Sequence, residues 1–370
     1  MTLLIDASPL QSEHRLRGVG AYVRSLVGAI ERLDVRPQYL ASTQGDLPDL
    51  PPERVTRVYR PHRPAQVYWM YNEVALRAGL ARVRPAVFLA PDFNGLVKNP
   101  FGLTVSVLHD LTHLKLARTE PPRGLSERLD VLRWQVYQAK LQRADRILAI
   151  SESARNDAVT LLGIDPDRVH VVHHGVDHEL FRDVRGTGPY ADSPPYLVHL
   201  GGRNDNKNQA RLLEAFAEVA RTEPDLQLYF AGPWSAGDHA WLEREVTRLH
   251  LTGRVRHLGY VPHGDLPGLF GNAAAFVFPS LEEGFGLPVL EAMASGAAVI
   301  TSDRSSLPEV AGDAALLVDP LDPGAIRDAV LAVLHGEGVA DGLRARGVAR
   351  AQGFTWAATA RRTMSVLGLA

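Results

Sequence analysis

Residues 281–294, with the sequence LEEGFGLPVLEAMA, combine a glycine-rich turn with three carboxylates, of which Glu283 and Glu291 lie eight residues apart on either side of the turn. Gly284 and Gly286 allow the backbone to turn sharply and to approach a ligand closely, and the proline that follows suits the first turn of a helix. The free amides at such a helix N-terminus attract anions. Glu283 in the loop and Glu291 about one turn into the helix could accept hydrogen bonds from hydroxyls such as a ribose diol. The alternative is a capped loop with two solvated carboxylates.

A second group of polar residues, GGRNDNKN, covers residues 201–208. Arg203 and Lys207 flank a tight loop there and could hold a diphosphate together, Arg as a fork and Lys as a point charge. Each charge-assisted bond of this kind contributes about 1.5–3 kcal/mol. The alternative is an exposed loop with two solvated cations, but the loop follows a predicted strand, where parallel sheets bind ligands.

A third candidate is a glycine pair, Gly18 and Gly20, which follows Arg17 and opens the first predicted helix. A glycine pair before a helix is only a weak indication of a phosphate-binding turn. The third glycine of the dinucleotide fingerprint is missing, because position 23 is Val, and no ribose-binding acid can be assigned after the next strand. The sequence therefore disfavours a nicotinamide cofactor.

Several histidines follow predicted strands. His109, Asp110 and His113 offer metal-ligand chemistry, but they follow a strand rather than lying on a helix and no third ligand is evident, so no metal site is predicted. His109 is better interpreted as a polar contact to a substrate. His173 and His174 are interpreted as strand-end structure, with a catalytic role as the less favoured alternative.

The elements that would position these groups are strands and amphipathic helices in alternation, the pattern of an α/β fold with parallel sheets. A predicted helix carries an apolar stripe over residues 19–33, and Ser151 is the predicted N-cap of a helix that ends near Leu162. The predicted strands cover residues 3–7, 38–42, 86–90, 105–109, 146–150 and 169–172, then 196–200, 227–231, 254–259, 275–278 and 298–302. A Gly- and Pro-rich segment at 184–195 is the predicted domain boundary.

Composition excludes several classes of protein. A chain of 370 residues with 45% hydrophobic residues is too long for one ordinary core, so two globular domains are predicted. A net charge of -2 lacks the cationic field of a nucleic-acid binder, and the absence of cysteine excludes disulfides and thiolate chemistry. No apolar run is long enough to span a membrane, and the N-terminus lacks the features of a signal peptide. Residues 59–84, with Tyr68, Trp69 and Tyr71, favour a core helix with snorkelling arginines over a membrane-surface patch.

Taken in order, the motifs GVG, GGRNDNKN and EEGFGLPVLE, the last followed by GAAVITSDRSSLPE, resemble the retaining glycosyltransferases of family 4, which have the GT-B fold. The match covers nearly the whole chain and extends to His109-Asp110, to HHGVD at 173–177 and to Phe354-Thr355-Trp356. It implies two Rossmann-like α/β domains that face each other across a cleft. The implied limits are 1–185 for the acceptor-side domain, 196–354 for the donor domain and 355–370 for a helix that crosses back.

The resemblance also implies the chemistry: transfer of a hexose of mannose or glucose type from a nucleoside diphosphate sugar to a saccharide or lipid-linked acceptor, with retention. In similar enzymes the residues at Arg203 and Lys207 hold the diphosphate, and stabilising its charge is the main catalytic task. Glu291 binds the ribose, Glu283 contacts sugar hydroxyls and His109 reaches the donor. The implied catalytic residues are Glu283, His109, Arg203 and Lys207, and the donor-binding residues are Gly18, Gly20, Gly202, Arg203, Lys207, Val261, Glu283, Gly284, Phe285, Gly286, Leu287 and Glu291.

No tightly bound cofactor, metal or nucleic acid is implied. The expected co-substrates are GDP-mannose and, as the second candidate, UDP-glucose. The expected location is cytoplasmic, with possible peripheral contact at the inner membrane face. The chain departs from the family in a shorter Arg203-to-Lys207 spacing and in His174-Gly175, where Asn-Gly is common. One alternative is a sugar-nucleotide epimerase, which would need acid–base carboxylates around the sugar. Another is a non-catalytic nucleotide-sugar binding protein, which would be expected to lose Glu283, Lys207 or Arg203.

Overall fold

A computed structural model describes residues 1–11, 18–45, 47, 50–59, 65–92, 95–112, 114–115 and 124–369. The chain divides into two compact units. Unit 1 comprises residues 1–175 together with 356–370, and unit 2 comprises residues 176–355.

Unit 1 is built on a sheet of seven parallel strands in the order β3-β2-β1-β4-β5-β6-β7. The strands are β1 (Leu3–Asp6), β2 (Gln38–Ser42), β3 (Val55–Val58), β4 (Val87–Ala90), β5 (Leu103–Leu108), β6 (Arg146–Ala149) and β7 (Val169–Val171). The helices between them include α1 (Gly18–Glu31), α2 (Ala65–Val83), α3 (Leu125–Leu141) and α4 (Glu152–Leu162). The strand order reverses between β1 and β4, as in a Rossmann sheet.

Unit 2 repeats this plan with six parallel strands in the order β10-β9-β8-β11-β12-β13. The strands are β8 (Tyr196–Leu200), β9 (Gln227–Ala231), β10 (Val255–His257), β11 (Ala275–Phe278), β12 (Val299–Ser302) and β13 (Leu316–Val318). The helices are α5 (Gln209–Val219), α6 (Ala236–Arg248), α7 (Leu266–Gly271), α8 (Leu287–Ala294), α9 (Leu307–Ala311), α10 (Pro323–His335) and α11 (Val339–Ala351). Two doubly wound α/β sheets are therefore confirmed, one in each unit.

Burial explains why these segments form the elements that they do. Central strands such as β11 are apolar throughout and fully buried, because helices cover both faces of a parallel sheet. Helix α1 buries Tyr22, Val23 and Leu26 on one side, at the spacing that the sequence indicates. Ser151 caps α4 as predicted, since its hydroxyl accepts a hydrogen bond of 3.0 Å from the Ala154 amide.

The Gly- and Pro-rich segment 184–195 lies inside unit 2 and does not separate the units. The chain instead passes from one unit to the other at Gly175–Val176 and returns at Thr355–Trp356. Val176 pairs with Thr355 in a parallel bridge, so the two crossing segments are fastened to each other. Asn272 holds the glycine-rich segment through hydrogen bonds to the Gly186 amide and the Thr187 carbonyl. The Gly and Pro content of segment 184–195 indicates a surface loop, but only tertiary packing decides to which unit this loop belongs.

The last helix, α12 (Trp356–Leu367), belongs to unit 1 and packs on α1. Strands β3 and β13 are absent from those predicted from the sequence. Both are short edge strands with partly exposed residues, so they lack the continuous apolar run of the central strands.

Residues 65–83 form the helix expected from the aromatic- and arginine-rich stretch. Leu76 and Leu80 are fully buried, and exposed Arg77 pairs with Glu73 at 2.8 Å. The side chains of Tyr68, Trp69 and Tyr71 lie outside the described residues. Among the described helices, none is both long and apolar enough to cross a bilayer.

Candidate functional site

Two loops meet at the carboxyl edge of the unit 2 sheet, where neighbouring strands β8 and β11 mark the reversal of strand order. One loop follows β8 and contains residues 201–208; the other follows β11 and contains residues 279–286. The Leu281 amide donates to the Asn206 carbonyl at 2.8 Å, and the Asn208 side chain donates to the Pro279 carbonyl at 3.0 Å. This edge is where open parallel sheets bind ligands.

Lys207 and Glu283 are brought into direct contact by these loops. The Lys207 ammonium lies 2.5 Å from a Glu283 carboxylate oxygen, and it also lies 4.9 Å from the centre of the Phe278 ring. Both side chains are mostly buried, with relative exposures of 20% and 13%. The ion pair is therefore partly shielded from water, which makes its charges interact more strongly than a surface pair would.

Arg203 lies in the same loop as Lys207 but has different partners. Its guanidinium carbon is 4.4 Å from the centre of the Trp241 ring, and its nitrogens are 3.7 Å from Asp238 and 3.9 Å from Asp205. Asp238 is itself fixed by the capping box of α6 with Ser235. Trp241 and Asp238 are site residues that the sequence analysis missed, because they lie more than thirty residues away and belong to no motif in it.

Glycines at this edge are required by close backbone packing. A Cβ atom at Gly232 would lie 2.7 Å from the Gly201 carbonyl oxygen, and Gly232 has a φ of +132°. The Gly202 carbonyl accepts a hydrogen bond of 3.1 Å from the Gln209 side chain. These contacts fix the path of the Arg203 loop.

The Gly-Phe-Gly turn leads into helix α8. Gly286 is its N-cap, with a φ of +97°, and a Cβ atom there would lie 2.6 Å from the Leu307 side chain. Phe285 is buried, with its ring edge against Phe354. Gly284 opens this turn and Leu287 follows it, so their amides lie beside the helix N-terminus that is predicted from the sequence as an anion site.

Two serines that the sequence analysis did not single out hold the Glu283 backbone. The Ser305 hydroxyl accepts from the Glu283 amide at 3.0 Å, and the Ser306 hydroxyl donates to the Glu283 carbonyl at 3.0 Å. Ser305 has a φ of +53°, a conformation that is unusual for a residue other than glycine. The sequence feature that could have indicated these two serines is the SDRSS motif at residues 302–306.

Glu291 lies on the first turns of α8 and is 8% exposed. Burial raises the pKa of its carboxyl to about 8. In the described part of the chain no side chain forms an ion pair with it. At neutral pH it is therefore mainly a protonated acid that can both donate and accept hydrogen bonds.

His199 is a buried titratable residue that the sequence analysis also missed. It lies near the end of β8, its Nδ1 is 3.0 Å from the Val277 carbonyl oxygen, and its ring stacks on Phe278. Burial is the main cause that lowers the pKa of His199 to about 4, and the charge of Lys207 lowers it further. His199 is thus neutral in the folded chain.

The buried imidazole predicts a stability that depends on pH. An unfolded His199 takes up a proton below about pH 6.5, whereas the folded one does not, so the free energy of unfolding falls as the pH decreases. Between pH 6.5 and 5 the expected loss from His199 is about 1.5 kcal/mol, since the unfolded imidazole is already half protonated at pH 6.5. The free energy of unfolding of His199→Phe, measured by urea unfolding at pH 6.5 and 5, is expected to fall by that much less than the free energy of unfolding of the wild type. Replacement of exposed His250 by Asn is the control, and an unchanged slope in His199→Phe would contradict the assignment.

The loop after β10 supplies the remaining donor-binding candidate of unit 2. Val261 is buried and neighbouring Tyr260 is 57% exposed, at the carboxyl edge of the same sheet. The position suits a contact to a ligand through backbone groups, and Val261 is one of the donor-binding residues that the resemblance implies.

In unit 1, the candidates lie at the carboxyl edge of the first sheet. Gly18 and Gly20 begin α1, and His109 follows β5, with its Nε2 2.9 Å from the Pro91 carbonyl oxygen. The His109 ring also contacts Tyr22, which stacks on buried His174. Burial holds the pKa of His174 well below its usual range.

Two residues of the sequence motifs in this unit, Arg17 and His113, lie outside the described residues. Across the described ranges, no group of three or more His, Asp or Glu side chains is arranged to hold a metal ion. The candidate residues of unit 2 lie at the carboxyl edge of its sheet, and those of unit 1 lie at the carboxyl edge of the other sheet.

Comparisons with known proteins identify similar sequences along most of the chain. Residues 16–180 match the model of Glycosyltransferase Family 4, and residues 183–352 match that of Glycosyl transferases group 1. The O-antigen chain mannosyltransferase B of Escherichia coli is 30% identical over 272 residues, which are 72% of this chain and 70% of that protein. The serotype-specific mannosyltransferase WbdA of Escherichia coli is 28% identical over 97% of this chain, but the chain spans only 47% of WbdA.

A solved structure shows the same fold. Anabaena HepE in complex with UDP-glucose has a TM-score of 0.74 at 19% identity, covering 100% of this chain and 99% of HepE. The two parallel sheets are thus those of the GT-B architecture. With both halves of the sequence matched by the family's two models, the chain belongs to the family 4, group 1 glycosyltransferases.

Proposed function

We propose that the chain transfers a hexose from a nucleoside diphosphate sugar to a saccharide or lipid-linked acceptor, with retention of anomeric configuration. Mannose is the first candidate for the hexose and glucose is the second. The observation that carries the proposal is the contact of Lys207 with Glu283 at the strand-order reversal of unit 2, four residues before helix α8. A cation, a carboxylate and a helix N-terminus there match the phosphate and the hydroxyls of a nucleotide sugar.

The leaving group of this reaction is a nucleoside diphosphate, so negative charge develops on its phosphate oxygens. Lys207, Arg203 and the amides at Gly286 are the groups proposed to stabilise that charge. Glu283 is proposed to accept hydrogen bonds from the sugar, and its pairing with Lys207 would hold both side chains in place. Because the leaving group is already acidic, the reaction needs no pair of acid–base carboxylates.

The donor is proposed from the relatives. The two Escherichia coli proteins are named as mannosyltransferases, which favours GDP-mannose, and the Anabaena HepE structure contains UDP-glucose, which makes this donor the second candidate. Glu291 is proposed at the ribose, and the backbone around Val261 at the base.

From unit 1, Gly18, Gly20 and His109 are proposed to contact the substrates, since they lie at the carboxyl edge of their own sheet. A cytoplasmic location is proposed, with peripheral contact at the inner membrane face if the acceptor is lipid-linked.

A thermal-shift panel tests the donor. GDP, UDP, ADP, their sugar conjugates and NAD are each added to the protein; a ligand at one hundred times its Kd adds about 2.7 kcal/mol to the free energy of unfolding. We expect a shift with GDP and GDP-mannose. A shift with NAD alone, or with none of the compounds, would contradict the proposal.

The same donor then serves to test the reaction. With a saccharide acceptor, NMR of the first product is expected to show the anomeric configuration of the donor; inversion would refute retention. Conversion of the donor sugar to its epimer without an acceptor would support the epimerase alternative. Donor binding without any turnover across an acceptor panel would support a non-catalytic binding protein.

A further inference from the structure

A charged cavity of unit 1 lies apart from the residues discussed so far. Its volume is about 240 Å³, and α2, α3 and the segment before β5 form its walls. Four cationic side chains line it: Arg77, Lys98, Lys140 and Arg143. Among the described residues that line it, Glu73 is the one carboxylate.

The cavity lies towards the amino edge of the unit 1 sheet. Thr104, which lines it, is the second residue of β5, whereas His109 follows the end of this strand. The two positions are separated by most of the strand, roughly 15 Å at about 3.3 Å per residue. The cavity is therefore distinct from the carboxyl edge at which Gly18 and His109 lie.

Positive charge exceeds negative charge in this cavity. Glu73 is divided between two cations, Arg77 at 2.8 Å and Lys140 at 3.2 Å, and these two cations lower the pKa of the Glu73 carboxyl. Lys98 pairs with Asp145 just behind the lining. Counting Asp145 as well as Glu73, the described residues place four cations against two carboxylates, an excess of two positive charges.

Arg143 differs from the other three cations in its side-chain partners. Within the described ranges its guanidinium has no hydrogen-bond or ion-pair partner, so its planar set of donors is available to a ligand. The Thr104 hydroxyl accepts from the Asn99 amide at 2.9 Å, which leaves its hydrogen to donate. These groups add directional donors to the excess charge.

Part of the cavity lining is apolar. Leu96 and Val97 are 2% and 3% exposed, and Val136 also belongs to the lining. Apolar walls concentrate the field of nearby charges and strengthen their attraction for an anion. Lysine is rare in this chain, with only Lys98, Lys115, Lys140 and Lys207 among 40 basic residues, and two of the four line this cavity.

We propose that this cavity is a second anion site, which binds a small phosphate-bearing ligand of the size of a diphosphate or sugar phosphate. Phosphate oxygens suit both the fork of Arg143 and the point charges of Lys98 and Lys140. The same chemistry is offered by a free phosphate compound and by the phosphate of a lipid headgroup.

The small number of lysines provides a site-resolved test. Full-length protein is treated with an amine-modifying reagent, and the modification rate of each lysine is followed by mass spectrometry. Inorganic pyrophosphate is expected to slow the modification of Lys98 and Lys140 at least fivefold. Lys115, which pairs with Asp157 at 2.6 Å outside the cavity, is expected to keep its rate. Lys207 reports on the donor site in the same sample, so failure at one site is seen separately from failure at the other.

Two further arms identify the source of the phosphate and the role of Arg143. Vesicles of phosphatidylglycerol are compared with vesicles of phosphatidylcholine; protection by phosphatidylglycerol vesicles alone identifies a lipid headgroup, and protection by pyrophosphate identifies a free phosphate compound. Arg143→Met is expected to raise the half-protecting concentration at least fivefold, whereas Arg82→Met, at the end of α2 and outside the cavity, leaves it unchanged. Equal protection of Lys115, the same protection by chloride at matched ionic strength, or no protection in any arm would overturn the proposal.

Discussion

Replacement of Lys207 by methionine is expected to lower kcat/KM for sugar transfer by about a hundredfold or more. Such a loss corresponds to roughly 2.7 kcal/mol of transition-state stabilisation, within the range for removal of one preorganised charge from a shielded site. Methionine keeps the length and much of the volume of the side chain, so contact with Phe278 can persist while the charge is lost. Steady-state kinetics with the donor identified by the thermal-shift panel measure this effect.

The loss should fall on kcat as well as on KM, because charge on the leaving diphosphate is greatest in the transition state. Lys115→Met is the matched control, since Lys115 also forms a partly buried ion pair, with Asp157 in unit 1. Glu283→Gln removes the carboxylate partner of Lys207 but keeps the lysine, so it separates the effect of the lysine charge from the effect of the ion pair. Wild-type rates in a folded Lys207→Met variant would rule out the diphosphate assignment.

Replacement of Glu291 by glutamine is expected to change the pH dependence of stability more than any other single substitution considered. The pKa of this carboxyl is raised from 4.5 to about 8 by burial, so the unfolded chain ionises at a lower pH than the folded one. The free energy of unfolding therefore falls as the pH rises from 4.5 to 8, with an upper bound of about 4–5 kcal/mol. A neutral amide removes that loss.

Urea unfolding at pH 5, 6.5 and 8 measures the difference in slope between Glu291→Gln and wild type. Glu243→Gln, at an exposed position in the same unit, is the control. Donor titrations add a functional readout, because Gln can still exchange hydrogen bonds with a ribose diol and Ala cannot. We expect Glu291→Ala to raise the donor KM at least tenfold and Glu291→Gln to raise it less. Identical pH slopes in Glu291→Gln and wild type would show that the carboxyl is already ionised in the folded chain.

The two candidate cations of unit 2 have different surroundings, and this bears on how they would act. Lys207 is held by Glu283, whereas Arg203 stacks on Trp241 beside Asp238. A guanidinium on an indole face keeps its in-plane donors available, since the ring occupies only its flat side. In the proposed function, Arg203 would bind phosphate oxygens while it stays on Trp241, whereas Lys207 would share its donors between Glu283 and the phosphate.

Local sequence was sufficient for most of the secondary structure. The central strands are continuous apolar runs, and a side-chain cap such as Ser151 is a contact between residues three apart, so both can be recognised in a short window. The glycine-rich turns before helices also depend on neighbouring residues. For these reasons the sequence alone determined the α/β class, the positions of most strands along the chain and the loops at which the candidate site residues lie.

Tertiary structure decided which of those residues meet. Lys207 and Glu283 are 76 residues apart, and they touch because parallel pairing places β8 next to β11 and aligns the ends of both strands. The partnership of Arg203 with Trp241, the domain limits at Gly175–Val176 and the charged cavity of unit 1 likewise depend on distant segments that share no motif. The raised pKa of Glu291 and the lowered pKa of His199 are set by burial, and burial exists only once the chain has packed.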